Sequence, residues 1–267
     1  MKQPLTPEPL SKIKLCDFDP RYVDGEWDKD SAAKQIEKNV QDLGDLAYRL
    51  YAENRRAVLL ILQGMDTSGK DGAIRTVMTG INPLSCQITS FKVPSAEELD
   101  HDFLWRIHLA TPNRGQIGIF NRSQYEDVLV VRVHKLAAEK EWKSRYERIN
   151  EFENLLVEGG VTLVKCFLHI SKDEQRERLQ ARLDDSTKRW KFSMGDLAER
   201  KLWDDYQEAY EDALTHCNTK HAPWHIVPAD RKWYRNLVVS DLLREALERM
   251  NPQFPEAEKG LEGLKVE

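Results

Sequence analysis

Cysteine is scarce in this chain, with four residues in 267. The four lie far apart and form none of the Cys-x-x-Cys pairs that are typical of zinc sites and redox motifs. Isolated cysteines of this kind are typical of free thiols in a reducing compartment, so we expect free thiols and no zinc site. They are Cys16, Cys86, Cys166 and Cys217.

The chain also lacks an apolar segment near its start. Residues 1–20 carry several prolines and charged residues and contain no hydrophobic stretch typical of a signal peptide. The apolar run at 57–62 is far shorter than the roughly 20 residues of a membrane-spanning helix. We therefore expect a cytoplasmic protein without a membrane partner.

An excess of positive charge is missing as well. The 40 lysine and arginine residues stand against 45 aspartate and glutamate residues, which gives a net charge of −5. Generic nucleic-acid binders are usually basic overall, so we expect no nucleic-acid partner, although a local basic channel is compatible with this balance. Hydrophobic residues make up 40% of the chain, which is enough for one sizeable core.

The segment Ala57–Gly72, AVLLILQGMDTSGKDG, has the order of a phosphate-binding P-loop. A short apolar strand leads into a glycine-bounded turn, a lysine and a helix-like segment, with the usual spacing Gly-x-x-x-x-Gly-Lys. Backbone N–H groups of such a loop converge on phosphate oxygens, and the lysine adds positive charge. We expect the nucleotide to contact Gly64, Thr67, Ser68, Gly69 and Asp71, with Gly69 and Lys70 also binding the transferred phosphate.

One position departs from the usual P-loop. Asp71 follows the lysine, where a serine or threonine normally binds magnesium, and a second acid, Asp66, lies inside the loop. Carboxylates beside phosphates repel them unless a divalent cation lies between, so the loop predicts a metal held by carboxylates, with Asp66 the better candidate. The alternative is a plain turn in which Asp71 is only a first-turn helix acid.

Apolar strands alternate with amphipathic helices along the chain. This alternation predicts an α/β fold with a doubly wound parallel sheet of about five strands flanked by helices and a helical lid. The run Leu129–Val133 is compatible with either a strand or a helix. We divide the chain into an N-terminal arm (1–30), a kinase domain (31–250) with the lid at about 172–200, and a C-terminal tail (251–267).

Polar residues follow the predicted strand GQIGIF. In a P-loop fold, ligands gather at the carboxyl ends of the strands, where Asn121 and Arg122 are expected to lie. An arginine there can neutralise phosphate charge, and an acid such as Glu126 or Asp127 can hold a metal. The alternative is a loop of solvated polar residues.

A cationic stretch follows the strand VTLVKCFLHI. Arg178 and Arg182 are four apart and share one face of a predicted helix, although Glu174 could make this face an ion-pair ladder. The next break, KRWK, has three cations beside a tryptophan and is typical of a lid that closes over phosphates, or of an exposed basic loop. Its cations are Lys188, Arg189 and Lys191.

Taken together, these motifs resemble the family-2 polyphosphate kinases. The resemblance rests on GMDTSGKDG, FNRSQYEDVLVVRV, ISKDEQRERLQARL, KRWKFS and APWHIVPADRKWYR, and it covers most of the chain. It implies transfer of the terminal phosphate of polyphosphate to a nucleotide, or the reverse, with Mg²⁺ or Mn²⁺. It also implies that Asp66, Lys70 and Arg122 belong to the catalytic centre, and that Arg178, Lys188 and Lys191 belong to the lid.

The resemblance includes one departure with a functional implication. Many members have Asp-Arg where this chain has Asn121-Arg122, and the version here, followed by Glu126 and Asp127, is similar to the subclass that phosphorylates both AMP and ADP. We therefore predict that Asp127 is catalytic and partners Asp66 on the metal. Asn121 and Glu126 are predicted to contact the nucleotide, and the protein is expected to be a homo-oligomer, a dimer or a tetramer.

Two other functions are compatible with a P-loop. One is an ATP-dependent nucleoside or nucleotide kinase, and the other is a nucleotide-binding regulatory module without turnover. The combination of loop, metal acids and lid cations favours an enzyme. We expect the phosphates of polyphosphate to contact Lys70, Arg122, Arg178, Arg182, Lys188, Arg189 and Lys191.

Overall fold

Five parallel strands form one sheet in the order β2-β3-β1-β4-β5 in the computed structural model, which describes residues 5–25, 27–261 and 265–266. The remaining positions of the predicted arm and tail lie outside this description. The strands are β1 (Ala57–Gln63), β2 (Cys86–Ser90), β3 (Ile117–Asn121), β4 (Val161–His169) and β5 (Trp224–Pro228). The doubly wound parallel sheet predicted from the alternation of strands and helices is thus confirmed.

Helices cover the sheet on both faces, which is why most residues of β1, β3 and β4 are buried, whereas the edge strand β2 is partly exposed. Every residue of β1 is buried, because this strand lies between β3 and β4 at the centre of the sheet. The helices are α1 (Lys29–Glu53), α2 (Lys70–Met78), α3 (Ala96–Leu99), α4 (Trp105–Leu109), α5 (Glu126–Val133), α6 (Glu139–Glu158), α7 (Lys172–Asp184), α8 (Met194–Lys201), α9 (Trp203–His216) and α10 (Lys232–Met250).

The structure decides one open alternative, and it interrupts two segments that the sequence predicts as single helices. The run at 129–133 is helical and continues α5, which starts at Glu126. The capping box at Ser95 and the apolar residues up to 109 predict one helix, but this segment forms two short helices, and the side chain of Asp102 accepts a hydrogen bond from the Leu104 backbone between them. The apolar pattern at 197–214 predicts another helix. It starts three residues earlier, at Met194, because Ser193 and Asp196 form a capping box, and it is interrupted at Leu202.

The helices α1 and α10 pack against each other on one side of the sheet. A buried hydrogen-bond network joins them, in which Asn39 Nδ2 donates to Ser240 Oγ and Asp241 Oδ1, both at 2.9 Å. No helix within the described ranges is long and apolar enough to cross a membrane.

The register of the sheet brings the functional segments together. Leu62 of β1 pairs with Asn121 of β3, and Gln63 pairs with Phe167 of β4. Parallel strands end on the same edge of a sheet, so the loop after β1 lies beside the turn after β3. The Arg122 backbone N–H donates to the Leu62 carbonyl at 3.1 Å and fixes this contact.

Candidate active site

The glycine loop wraps around the side chain of Lys70, the first residue of α2. Lys70 Nζ is buried and donates to the Gly64 carbonyl at 2.8 Å. Burial, together with the nearby charge of Arg122, lowers the pKa of Lys70 to about 8, although the carboxylate of Asp66 opposes the shift. The loop therefore holds a lysine that gains its full positive charge most readily when phosphate oxygens approach it.

Gly69 caps the N-terminus of α2 with a φ of +101°, a conformation that side chains other than glycine rarely adopt. A Cβ atom at this position would lie 1.7 Å from Nη1 of Arg235, which comes from α10. Arg235 Nη1 donates to the Ser68 carbonyl at 3.2 Å. Burial, together with the charge of Arg178, lowers the pKa of Arg235 to about 10. The last helix thus supports the loop from behind.

Arg178, which was predicted to bind phosphate from the lid, also supports the same loop. It lies on the buried face of α7, and each of its five N–H donors has a partner within the protein. Its partners are the Glu174 carboxylate (2.7 Å) and the carbonyls of Thr67 (2.8 Å), Ser68 (3.2 Å), Ala229 (2.6 Å) and Asp230 (2.9 Å). In this conformation Arg178 positions the loop.

Arg122 faces the loop from the turn after β3. Its Nη2 lies 2.9 Å from Asp66 Oδ1, and its Nη1 lies 3.1 Å from Glu126 Oε2. These two carboxylates, Glu126 first, raise the pKa of Arg122 above its already high ordinary value, so the guanidinium is permanently charged. Its side chain is 37% exposed and can therefore reach a phosphate.

Asn121 and Asp71 contact each other at the mouth of the loop. Asn121 Nδ2 donates to Asp71 Oδ1 at 2.8 Å. Asp71, at the position of the usual P-loop hydroxyl, therefore points towards the turn that carries Arg122. The structure brings these two predicted nucleotide contacts together beside the catalytic candidates.

Asp127 does not face the loop, which contradicts the prediction that it partners Asp66. Its carboxylate forms ion pairs with Arg145 at 3.2 Å and Arg106 at 3.7 Å. Burial raises the pKa of Asp127 to about 6, although both arginines oppose the shift. Successive helix residues point about 100° apart, so Glu126 and Asp127 have different surroundings, and here only Glu126 contacts Arg122 beside Asp66. Glu126 is the acid that shares Arg122 with Asp66.

A cavity of about 240 Å³ opens in front of Asp66, and we call it the acidic cleft. Its opposite wall contains a cluster without a sequence motif: Tyr206 Oη donates to Glu199 at 2.7 Å, and His134 Nε2 lies 3.1 Å from the same carboxylate. The acidic cleft is lined by Gly64, Met65, Asp66, Arg122, Glu126, Leu129, Val130, His134, Gln175, Glu199, Tyr206 and Tyr210.

A second cavity, of about 510 Å³, lies between the loop and α7, and we call it the cationic cleft. Lys188 lines it, whereas Arg189 Nε donates to the Leu183 carbonyl at 2.6 Å and Lys191 Nζ lies 5.0 Å from the Trp190 ring. Arg75, Lys232 and Arg235 also line this cleft, and the sequence did not predict them because they lie far from the lid along the chain. The cations that line the cleft are Arg75, Arg178, Arg182, Lys188, Lys232 and Arg235.

A parallel sheet whose central strand ends in a glycine loop around a lysine is the architecture of P-loop phosphotransferases. Comparison with known protein families narrows this class. The sequence model of the family described as polyphosphate kinase 2 matches residues 26–255. The chain belongs to the polyphosphate kinase 2 family, as its motifs predicted.

Individual relatives agree with this assignment. The chain is 48% identical to an AMP/ADP-polyphosphate phosphotransferase of Meiothermus ruber, over 97% of this chain and 98% of the relative. It is also 48% identical to an ADP-polyphosphate phosphotransferase of Rhodopseudomonas palustris, over 89% and 85%. The crystal structure of polyphosphate kinase 2 from Arthrobacter aurescens TC1 superposes with a TM-score of 0.94 at 44% identity, covering 97% of this chain and 92% of that one.

Proposed function

We propose that this protein transfers the terminal phosphate of inorganic polyphosphate to AMP and ADP, giving ADP and ATP, and that it also catalyses the reverse reaction. The observation that carries the proposal is the position of the P-loop between the acidic cleft and the cationic cleft. The name of the Meiothermus ruber relative, an AMP/ADP-polyphosphate phosphotransferase, supports it.

The cationic cleft suits a polyphosphate donor. Polyphosphate carries about one negative charge per unit, so a protein with a net charge of −5 must concentrate its cations along the path of the chain. Six arginine and lysine side chains line this cleft next to Gly69, and two of them, Arg178 and Arg235, also hold carbonyls of the loop. A nucleoside triphosphate donor is shorter and would contact only some of these cations.

The transfer step needs little covalent chemistry from the protein. The transition state of phosphoryl transfer is loose, so positioning and charge neutralisation supply most of the rate. Lys70 in the loop and Arg122 across from it would hold the oxygens of the transferring group. Asn121 carries no charge, so the acceptor side does not discriminate strongly against ADP relative to AMP.

An ATP-formation assay tests the proposed function. Purified protein is incubated with polyphosphate and either AMP or ADP, and the products are separated by chromatography. We expect ADP and ATP from AMP, and ATP from ADP. If polyphosphate gives no product while ATP phosphorylates another acceptor, the protein is an ordinary nucleotide kinase.

We further propose that Mg²⁺ or Mn²⁺ is required, with Asp66 and Glu126 as its protein ligands. No cluster of three or more His, Cys, Asp or Glu side chains suited to a metal occurs in the described part of the chain. The two carboxylates of Asp66 and Glu126 fit Mg²⁺, which commonly takes one or two carboxylates and completes its coordination shell with water and substrate phosphates. The ion would neutralise charge on the phosphoryl oxygens.

Asp66→Asn is expected to raise the magnesium concentration that gives half-maximal rate, because one anionic ligand is lost. The rate is measured across a magnesium series at saturating polyphosphate and ADP. Asp127→Asn is the matched control, and its magnesium profile should stay at that of the wild type because Asp127 faces Arg106 and Arg145. An equal shift in both variants would restore Asp127 as a metal ligand.

Replacing Lys188 and Lys191 together by alanine is expected to raise the KM for long polyphosphate more than the KM for ADP. Polyanion binding over several cations is salt-sensitive, and each lysine that contacts the chain should contribute about one to the log–log salt slope, by analogy with nucleic acids. Initial ATP formation across a salt series at saturating ADP measures both effects.

The matched control removes the same charge elsewhere. Lys34 and Lys38 are exposed on α1 and line neither cleft, so the double alanine variant should keep the wild-type salt slope. If the Lys188/Lys191 variant also keeps the wild-type slope and KM, these lysines do not bind the donor. Lys188 lines the cationic cleft, so it should account for most of the effect.

We also propose a cytoplasmic homo-oligomer, a dimer or a tetramer. The four cysteines are unbridged, as expected in a reducing compartment. Exposed apolar side chains lie on the edge strand β2 and in the segments around it, which is typical of a surface that another subunit covers. They include Leu84, Ile88, Val93, Leu99 and Leu109.

A further inference from the structure

A lysine and a glutamate form an ion pair in the centre of the core. Lys165 of β4 and Glu153 of α6 both have side chains that are 0% exposed, and Lys165 Nζ lies 2.6 Å from Glu153 Oε2. The ammonium also donates to Tyr125 Oη at 2.9 Å and to the Cys217 carbonyl at 2.7 Å, so all three of its protons are used. Neither charged residue lines the acidic or the cationic cleft.

The glutamate connects this pair to the turn between β3 and α5. Glu153 Oε1 accepts from Gln124 Nε2 at 2.9 Å and from Tyr125 Oη at 2.6 Å. Burial, with the nearby Glu153, raises the pKa of Tyr125 well above its ordinary value, so the phenol remains protonated and donates. Two consecutive residues of the turn are thus anchored on one buried carboxylate.

The same turn has a second anchor at the base of the P-loop. Gln63, the last residue of β1, donates from Nε2 to Ser123 Oγ at 3.1 Å, and the Tyr125 backbone N–H points to the same hydroxyl at 3.4 Å. Residues 123, 124 and 125 are therefore all held by buried side-chain contacts. Arg122 precedes these three residues and Glu126 follows them.

Arg122 needs this support because its backbone is strained. Its φ is +67°, a left-handed conformation that side chains other than glycine rarely adopt. Strained residues persist only when their surroundings over-determine them, and they concentrate at functional sites. The conformation directs Arg122 towards Asp66 in the P-loop, where it lies 2.9 Å from the carboxylate.

Stability alone does not account for a charged pair in this position. Desolvation of two buried charges largely offsets their attraction, and well-packed apolar residues of similar volume often serve a core as well or better. Buried polar networks that are fully bonded instead specify one arrangement of the groups attached to them. Here the attached group is the turn that carries Arg122 and Glu126.

We propose that Lys165 and Glu153 are positioning residues for phosphoryl transfer, which act through Gln124 and Tyr125 to hold the turn that presents Arg122 to the P-loop. This inference rests on the role proposed above for Arg122. The network acts on the transition state more than on substrate binding, because Arg122 contacts the group that is being transferred.

The test uncouples the turn and leaves the ion pair in place. Gln124→Met/Tyr125→Phe keeps the side-chain volumes and removes both hydrogen bonds from the turn to Glu153, together with the Tyr125 hydroxyl that accepts one proton of Lys165. We expect kcat to fall between about 10-fold and 10²-fold, because misplacement of a reacting group by about 1 Å has effects of this size. The KM for polyphosphate should change by less than about 3-fold, since the cationic cleft is untouched.

A milder variant keeps the test decisive if the double variant is poorly folded. Tyr125→Phe removes one hydroxyl and should lower kcat in the same direction by a smaller factor. Asn39→Leu is the matched control, because it breaks the buried network between α1 and α10 and should lower the melting temperature while leaving kcat unchanged. This comparison separates a positioning role from a purely structural one.

Amide hydrogen exchange without substrate gives a second measurement. The N–H groups of Arg122 and Glu126, which donate to the carbonyls of Leu62 and Ser123, should exchange faster in the Tyr125→Phe and double variants than in Asn39→Leu. Wild-type kcat or unchanged exchange in a folded double variant would overturn the proposal. If the wild type lacks polyphosphate-dependent transfer, the proposed function fails, whereas the exchange result still reports on the turn.

Discussion

Lys70→Ala is expected to lower kcat on the order of 10²-fold to 10³-fold and to leave the fold intact. This is the usual effect of removing one preorganised charge at a site of phosphoryl or acyl transfer. Burial already penalises the ammonium, as its lowered pKa of about 8 indicates, so its loss should not lower the melting temperature. ATP formation and thermal unfolding measure the two quantities.

Lys70→Met is the matched variant that keeps the aliphatic part of the side chain. An equal loss of kcat in both variants would assign the effect to charge, whereas a folded variant with wild-type turnover would contradict the role of Lys70. The pH profile gives a further check. Because the lowered pKa makes the neutral form prevail above pH 8 in the free enzyme, kcat/KM should fall with increasing pH in that range, and Lys70→Met should lack this limb.

Gly69→Ala is expected to damage the loop almost as severely. The new Cβ would lie 1.7 Å from Nη1 and 2.6 Å from Cζ of Arg235, at a φ of +101° that alanine adopts only with strain. Strain of this kind costs about 1–3 kcal/mol, to which the displacement of Arg235 from the Ser68 carbonyl is added. We expect a lower melting temperature and a kcat at least about 10-fold below the wild type, because a misplaced loop loses its alignment.

Gly25→Ala is the control for this substitution. No atom lies within 4 Å of a Cβ built at Gly25, so both stability and kcat should remain at the wild-type values. If Gly69→Ala also keeps the wild-type stability and kcat, the Arg235 side chain can move aside without an effect on the loop, and it does not support the loop.

The sequence contains enough information for the fold and for the centre of the site, because their signals are local. Strand, glycine turn, lysine and helix follow one another within 57–72, and alternating strands and helices leave few topologies other than a doubly wound sheet. The resemblance to polyphosphate kinases rests on several motifs that lie apart in the sequence, and the match to the family confirms it.

The orientation of side chains was harder to predict. Glu126 and Asp127 are neighbours in sequence, and only the phase of α5 decides which of them faces Asp66. The sequence predicts that Arg178 is a cation of the lid, but it does not predict that this guanidinium lies on the buried face of α7 and donates to carbonyl oxygens of the protein. Arg235 is separated from its partner Ser68 by 167 positions, and a single sequence carries no signal for that contact.

The contact between Arg235 and Ser68 has a consequence for the synthesis of the protein. Ribosomes release a chain from its N-terminus, so the glycine loop emerges long before α10, the last helix of the fold. Until α10 docks, the Ser68 carbonyl lacks one of the two arginines that hold it. Nascent chains therefore carry the whole glycine loop before the contact between Arg235 and the Ser68 carbonyl can form.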